Sequence, residues 1–215
     1  DFAVTIESQK KDTGALVASA SNIDLKSVEK SYSTVTDMKD LAKWIKKAEK
    51  IGLLAIDTET TSLNPMAAEL VGISLSIDAG EACYIPVGHR KPAEQGGFDF
   101  GDGAAGDSQD QSIKQLPKKE VIEALKGILQ DPGILKVGQN IKYDMHIFYN
   151  EGILLKGVED TMLMSACLDG GLHGHGMDDL AERHLGHTCI SFKEIAGTGK
   201  KQKTFDEISI AEATP

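Results

Sequence analysis

Two acidic residues directly follow an apolar run in the stretch LLAIDTETTSL, which spans residues 53–63. Successive side chains of a strand point to opposite faces, so Asp57 and Glu59 fall on the same face at the end of a predicted strand. Two such close carboxylates repel each other, and oxygen ligands without a nearby His or Cys favour Mg²⁺ or Mn²⁺ over zinc. The spacing therefore predicts a divalent-cation site. The alternative is a solvated pair that interacts with nothing.

A second polar cluster follows the predicted strand of VGQNIKYDMHIF, residues 137–148. Asn140, Tyr143 and Asp144 lie at helical i, i+3 and i+4 positions and share one face of the next predicted helix. The alternative is that Asn140 caps this helix and Asp144 is a solvated first-turn charge that suits the helix dipole. Asp160 precedes an apolar run and is predicted to be a helix N-cap, not a ligand.

The elements that must position these residues can be read from hydrophobic periodicity. Helices are predicted over residues 36–50, capped by Thr36 or Asp37, and from Pro117 to Pro132-Gly133, with further helices at about 141–150, 160–169 and 177–185. Strands are predicted at LLAID, LVGISLSID, EACYIPV and ILKVGQ, and the second and third form a hairpin around Ala79-Gly80. Strands and helices in this order predict an α/β or α+β sheet with helical cover.

Composition limits the remaining possibilities. With 215 residues the chain has room for one sizeable domain, and it has no apolar run long enough to span a membrane, so a cytoplasmic protein is predicted. Its three Cys residues show neither a disulfide framework nor zinc spacing. The net charge of −10 argues against coating duplex DNA, although metal ions could supply positive charge at a nucleic-acid site. Residues 1–33 are predicted to be a linker and about 91–115 a flexible insertion in a domain of residues 34–215.

Six stretches together resemble the 3′–5′ exonuclease (proofreading) domain of bacterial DNA polymerase I. They are, in chain order, AIDTETTSL, ELVGISLSIDAGEACYIPVGH, LKVGQNIKYDMHIF, DTML, MDDLAERHLGH and SFKEIAGTGKKQKTFDEI. The resemblance runs from about Tyr32 to the end of the chain. It implies the ribonuclease-H-like fold of the DEDD exonucleases, an α/β fold with a central mixed β-sheet flanked by helices.

The resemblance also implies roles for single residues. Asp57 and Glu59 match the first exonuclease motif and Asp144 the acidic residue of the second, which makes these three the catalytic and metal-binding residues. The residues implied to bind substrate are Thr58, Leu63, Gln139, Asn140, Tyr143, Met177 and Phe192. From the residues alone, Leu63 and Phe192 are predicted to be core, Met177 a gap filler and Tyr143 a surface aromatic.

The implied chemistry is two-metal hydrolysis of the 3′-terminal phosphodiester, with two Mg²⁺ or Mn²⁺ ions in the intact parent. Asp57 would bridge both ions, Glu59 would hold the ion on the nucleophile side, and Asp144 would orient the other. The implied substrate is a single-stranded or frayed 3′ end of DNA, which is released as 5′-mononucleotides. The implied partner is an adjoining polymerase domain of the same parent chain, and no membrane is involved.

Two departures from the family pattern matter. Gly174 stands where the family usually has an Arg, so a phosphate contact is lost or supplied by another residue. The third motif, a Tyr followed four residues later by the last metal-binding Asp, would begin just after ISIAEATP, so we expect a fragment that folds but is nearly inactive. Two alternatives stay open: a structural or strand-binding module whose catalysis has lapsed, and an RNA-trimming DEDD exonuclease.

Overall fold

The computed structural model describes residues 28–91, 113–199 and 202–214. Most of the predicted linker and of the predicted insertion therefore lies outside the described residues, and both remain predictions. The elements described below belong to a compact unit that spans Ser31–Pro215. None of the helices in the described ranges is long and apolar enough to cross a membrane.

A single mixed sheet organises the described part of the chain. Its six strands are β1 (Ser31–Thr34), β2 (Leu53–Thr60), β3 (Leu70–Asp78), β4 (Glu81–Pro86), β5 (Leu135–Gly138) and β6 (Val158–Asp160). They lie in the order β1-β4-β3-β2-β5-β6. The central strand β2 is antiparallel to β3 and parallel to β5, and β3 and β4 form the predicted hairpin. The predicted α/β architecture with a central mixed sheet is confirmed.

The helices of the described residues are α1 (Met38–Ile51), α2 (Lys118–Gln130), α3 (Lys142–Asn150), α4 (Thr161–Asp169), α5 (Met177–Leu185), α6 (Phe192–Ala196) and α7 (Ile210–Ala213), with a 3₁₀ turn at Phe205–Glu207. The Asp37 side chain caps α1 by accepting the amide N–H of Lys39 at 2.6 Å, as one of the two predicted caps. Helix α2 buries five apolar residues on one face: Val121, Ile122, Leu125, Ile128 and Leu129. Helices α1, α2 and α3 pack their apolar residues with one face of the sheet in the main core.

Three local expectations differ from the structure. Strand β1 begins at Ser31, inside the predicted linker; its four residues are all exposed, so no buried face left a pattern in the sequence. Asn140 neither caps α3 nor lies in it, because its φ of 57° places it in the left-handed region ahead of the helix. The sequence pattern does not predict the three-residue strand β6, which precedes α4. The predicted cap at Asp160 is confirmed.

Candidate active site

A cavity of about 700 Å³ opens at the end of β2. Strand β2 contributes its last residues and the loop that follows, the β5–α3 junction contributes a second wall, and residues near the end of the chain contribute a third. The lining residues are Asp57, Thr58, Glu59, Thr60, Thr61, Ser62, Leu63, Gln139, Asn140, Tyr143, Asp144, Phe192, Gln202, Lys203, Thr204 and Phe205. Every predicted site residue except Met177 is in this set.

Asp57 and Glu59 reach the cavity from the same face of β2. Asp57 pairs with Ser74 and Glu59 with Gly72 of β3, and Thr58 between them is buried on the other face. Burial raises the pKa of Glu59 to about 8, and the charges of Asp57 and Asp144 add to this rise. Burial also raises the pKa of Asp57, whereas a hydrogen bond from the Thr58 amide opposes the rise. The predicted convergence of the two carboxylates is confirmed.

Asp144 is held in the first turn of α3 by Thr58. The amide N–H and the hydroxyl of Thr58 both donate to Asp144 Oδ1, over 2.9 and 2.6 Å. The side chain is 2% exposed, so the alternative of a solvated first-turn charge is wrong. Burial raises the pKa of Asp144 to about 6, while the hydrogen bonds from Thr58 oppose that rise. Thr58 was expected to bind substrate, and here its two donors position a carboxylate.

The three carboxylates suit a hard divalent cation. In the described ranges none of them forms a salt bridge, and Lys203 is the one basic residue among those that line the cavity. Among the described residues, no group of three or more His, Cys, Asp or Glu side chains is arranged to hold a metal ion. Mg²⁺ is commonly bound by one or two carboxylates, with water and substrate phosphate completing its shell. The donor set fits an ion of this kind.

Leu63 and Phe192 are exposed at the cavity, although the residues alone predicted core positions. Leu63 is 96% exposed, directly after the acidic strand. Phe192 is 44% exposed, and its ring stacks on Phe205 with centroids 6.3 Å apart and planes 12° apart. Exposed apolar side chains beside the buried Asp144 and the half-buried Asp57 and Glu59 are available to contact a ligand that has flat apolar faces.

Two polar residues of the second motif mainly hold the walls in place. The Tyr143 hydroxyl donates to the Ser62 carbonyl and is hydrogen-bonded to the Thr60 hydroxyl, which ties α3 to the loop that bears Leu63. Gln139 donates from Nε2 to the His175 carbonyl over 2.8 Å and accepts from the Thr161 hydroxyl.

Asn140 has its amide N–H bonded to Asp160 Oδ1 at 3.0 Å. The same Asp160 oxygen accepts the Met162 amide at 2.9 Å and the Leu163 amide at 3.5 Å, so one carboxylate both caps α4 and fixes the turn before α3.

Met177 lies next to the carboxylate cavity and does not line it. It lines a smaller, mainly apolar cavity of about 290 Å³ that shares Asp57 and Gln139 with the first. At the nearby departure from the family pattern, a Cβ on Gly174 would lie 2.1 Å from Oδ2 of Asp179. A larger side chain at position 174 would therefore require Asp179 to move.

Sequence reasoning assigned no role to the third wall, which comprises Gln202, Lys203, Thr204 and Phe205. The tract GTGKKQKTF carries part of the family resemblance, and that was the available signal. Its position could not be read from a pattern because the local structure is a three-residue 3₁₀ turn, too short for periodicity.

A mixed sheet with carboxylates at the end of its central strand and helices packed against it is the arrangement of nucleases with the ribonuclease-H-like fold. The structure is similar to that of Escherichia coli RNase D, with a TM-score of 0.52 and 21% identity over 82% of this chain and 39% of that one. At this identity the likeness shows the fold alone.

The chain belongs to the 3′–5′ exonuclease family, whose model matches residues 32–210. It is 42% identical over 193 residues to DNA polymerase I of Rhizobium leguminosarum, covering 86% of this chain and 18% of that protein. It is also 42% identical over 190 residues to DNA polymerase I of Pseudomonas aeruginosa, covering 87% of this chain and 19% of that protein. The chain thus spans about a fifth of the length of these relatives, and the resemblance to a polymerase I exonuclease domain is confirmed.

Proposed function

We propose that this chain is the proofreading domain of a larger DNA polymerase and hydrolyses the 3′-terminal phosphodiester of single-stranded or frayed DNA, releasing 5′-mononucleotides. The observation that carries the proposal is that Asp57, Glu59 and Asp144, from two distant sequence motifs, line one cavity with two exposed apolar side chains. Buried acidic groups with raised pKa values in a cleft are typical of catalytic sites.

Asp57, Glu59 and Asp144 would hold Mg²⁺ or Mn²⁺, two ions in the intact parent. When bound, such ions activate a water nucleophile and stabilise charge on the leaving oxygen. The residues of the chain prepare this site by keeping three carboxylates close together without a salt-bridge partner in the described residues. Thr58 fixes one Asp144 oxygen, which orients the remaining oxygen of that carboxylate.

The apolar residues around the cavity favour an unpaired strand as the substrate. Leu63 and the Phe192 ring, from two separate segments of the chain, present apolar surface at the cavity, where the terminal bases of a strand can pack. A base-paired terminal nucleotide must leave its stack to make these contacts, and a mismatched or unpaired one loses less free energy in doing so. The cavity therefore suits single-stranded 3′ ends.

The charge of the chain is consistent with a partner that holds the duplex. A net charge of −10 does not attract an extended duplex, and the relatives are polymerases about five times as long as this chain. We therefore place the polymerase domain of the parent chain next to this one, in the cytoplasm with the chromosome.

An RNA-trimming exonuclease is the second candidate function, and its support is the shared fold with RNase D, which is described as an exoribonuclease. The identity of 21% to that enzyme against 42% to the polymerases favours DNA. A strand-binding module without catalysis is disfavoured because all three carboxylates are present and line the cavity.

The test is degradation, by the intact parent protein, of 5′-labelled oligonucleotides of one sequence as single-stranded DNA, matched duplex, duplex with a mismatched 3′ end, and RNA. With Mg²⁺, the account predicts a ladder of shortened products that forms faster from the single strand and the mismatched end than from the matched duplex. Faster degradation of the RNA would favour the RNA-trimming function, and binding without shortening would favour the lapsed module. The proposal would be contradicted if the protein neither bound nor degraded any of these strands.

A further inference from the structure

The third wall of the carboxylate cavity is carried by a short segment that needs external support. Lys203, Thr204 and Phe205 line the cavity, and the 3₁₀ turn Phe205–Glu207 follows at once. A 3₁₀ turn of three residues has little stability of its own. The segment is held against the sheet by side chains that follow or belong to β4.

His89 lies between the sheet and this segment and is 3% exposed. Its Nδ1 is 2.9 Å from the carbonyl oxygen of Ile208, and its Nε2 is 2.7 Å from the hydroxyl of Tyr84. A carbonyl can only accept, so Nδ1 carries the proton and donates to Ile208, and Nε2 accepts the Tyr84 O–H. A neutral imidazole thus satisfies both neighbours, in agreement with the burial that lowers the pKa of His89.

Tyr84 connects this bridge to the acidic strand. Its hydroxyl occupies the space above Gly72, where a Cβ would lie 2.0 Å from the hydroxyl oxygen, and Gly72 is the register partner of Glu59. Burial and then the nearby charge of Glu59 raise the pKa of Tyr84. Tyr84 therefore reaches from the strand pair that bears the carboxylates to His89 and, through it, to the third wall.

Arg90 adds a second attachment. Its amide N–H donates to the Asp206 carbonyl over 2.8 Å, and its guanidinium pairs with the Asp206 carboxylate. Aromatic contacts connect His89 to the surface. The His89 ring lies 6.1 Å from the ring of Phe205, and the Phe205 ring stacks on that of Phe192. Loss of the bridge would thus free the lining segment and the aromatic side chain that it supports.

We infer that Tyr84, His89 and Arg90 form a latch that positions the third wall and Phe192 against the carboxylates for strand binding. The inference rests on the proposed function, because it assigns the latch to binding of the strand and not to the hydrolytic step. None of the three residues lines the cavity, so each is a positioning residue.

The test compares His89→Ala, His89→Gln and His89→Asn. The Asn amide can place a donor near the position of Nδ1, towards Ile208, whereas the Gln amide lies near the position of Nε2, where its oxygen can accept from Tyr84 but its donor does not reach Ile208. We expect faster hydrogen exchange of the amides of residues 203–208 in His89→Ala and His89→Gln, and partial rescue in His89→Asn. The control is His146→Asn, on the exposed side of α3.

Function is measured with two substrates, with each substitution made in the intact parent protein. The KM for single-stranded DNA should rise by about 10- to 100-fold in His89→Ala, because small misplacement of a binding wall has effects of that size. Hydrolysis of thymidine 5′-(p-nitrophenyl phosphate), which is too small to span the walls, should change less than about 2-fold, as should kcat on saturating DNA. A general loss of fold would instead lower both activities together.

Three outcomes decide the inference. An unchanged KM in a variant whose residues 203–208 exchange faster would overturn it, because the wall would then be dispensable for the strand. An unchanged exchange rate in His89→Ala would also overturn it, because His89 would not hold the segment. If the unsubstituted parent protein hydrolyses neither substrate, the proposed function itself has failed, and with it the role of the latch in strand binding.

Discussion

Two polar sites on neighbouring strands differ in whether their charged groups have partners. Lys136 of β5 is 0% exposed, and its Nζ donates to the carbonyls of Ile134 at 2.6 Å, Asp131 at 2.7 Å and Ile128 at 3.3 Å. On β2, Asp57 and Glu59 lie with Asp144; burial raises the pKa of all three, and the charges of neighbouring carboxylates add to the rise for Glu59 and Asp144. A buried charge whose donors are all satisfied serves the fold, whereas unbalanced like charges indicate a site that completes itself with a ligand.

Asp57→Asn is expected to have the largest effect, because it removes one of the unbalanced charges. Removing one element of charge positioning at a reacting phosphate commonly costs about 10²–10³ in rate, and we expect a loss of this size in Mg²⁺-dependent DNA degradation by the intact parent protein. Because the substitution also removes a buried repulsion, the metal-free melting temperature at about pH 8 should not fall. Asp178→Asn, a change in an acidic residue outside the cavity, is the control and should retain activity.

The reverse pattern is expected for Lys136→Met. The substitution keeps apolar length but leaves three backbone carbonyls without their donor, and we expect the free energy of unfolding to fall by about 2–4 kcal/mol. Chemical denaturation measures this change, with Lys46→Met on the exposed side of α1 as the control. Rates per folded molecule should stay unchanged, and a large loss of activity with normal stability would contradict the structural role of Lys136.

The carboxylates also predict how stability depends on pH. The pKa of Glu59 rises from 4.5 to about 8 in the folded protein and that of Asp144 from 3.8 to about 6. The native state therefore keeps these protons to a higher pH than the unfolded chain does. Their contribution is fully present below the unfolded pKa values and is lost as pH rises, most steeply between about pH 4.5 and pH 8.

The contribution of Glu59 to this pH dependence is measured by thermal melts without metal of the unsubstituted chain and of Glu59→Gln. The variant should show a shallower fall over this range, and Mg²⁺ should reduce the fall in the unsubstituted chain by binding the ionised carboxylates. Parallel pH profiles for the two proteins would show that Glu59 is not buried among like charges.

A smaller effect is expected for Asp160→Ala, since Asp160 is acidic but does not line the carboxylate cavity. Its carboxylate caps α4 and accepts the amide of Asn140, and loss of a helix cap costs about 0.5–2 kcal/mol. Denaturation should detect that loss. A decrease in the affinity for Mn²⁺ would show that Asp160 belongs to the metal site after all.

The sequence was sufficient for the elements with strong patterns. Helix α2 and strands β2 to β5 have buried faces, so their apolar residues recur with the period of the element. Strand β1, helix α6 and the 3₁₀ turn are short or exposed, so their sequences show no such periodicity. The left-handed backbone of Asn140 was missed because it accompanies a hydrogen bond from the Asn140 amide N–H to the carboxylate of Asp160, twenty residues further along the chain.

The acidic residues of the site could be predicted, but their surroundings could not. The D-x-E spacing places Asp57 and Glu59 on one face, and the family motifs add Asp144. Neither signal shows that Thr58 holds Asp144 across the chain or that residues 202–205 close the cavity, because both depend on tertiary contacts between distant segments. The exposure of Leu63, next to a buried strand, is likewise visible only in the structure.

Calorimetric titration with Mn²⁺ tests the central claim most directly, because it asks whether the three carboxylates form a cation site without reference to catalysis. The account predicts binding to the unsubstituted chain that tightens as pH rises through the pKa of Glu59, is abolished in Asp57→Ala and is unchanged in Asp160→Ala. An isotherm for Asp57→Ala that matches that of the unsubstituted chain would contradict the account, because the ion would then be held elsewhere.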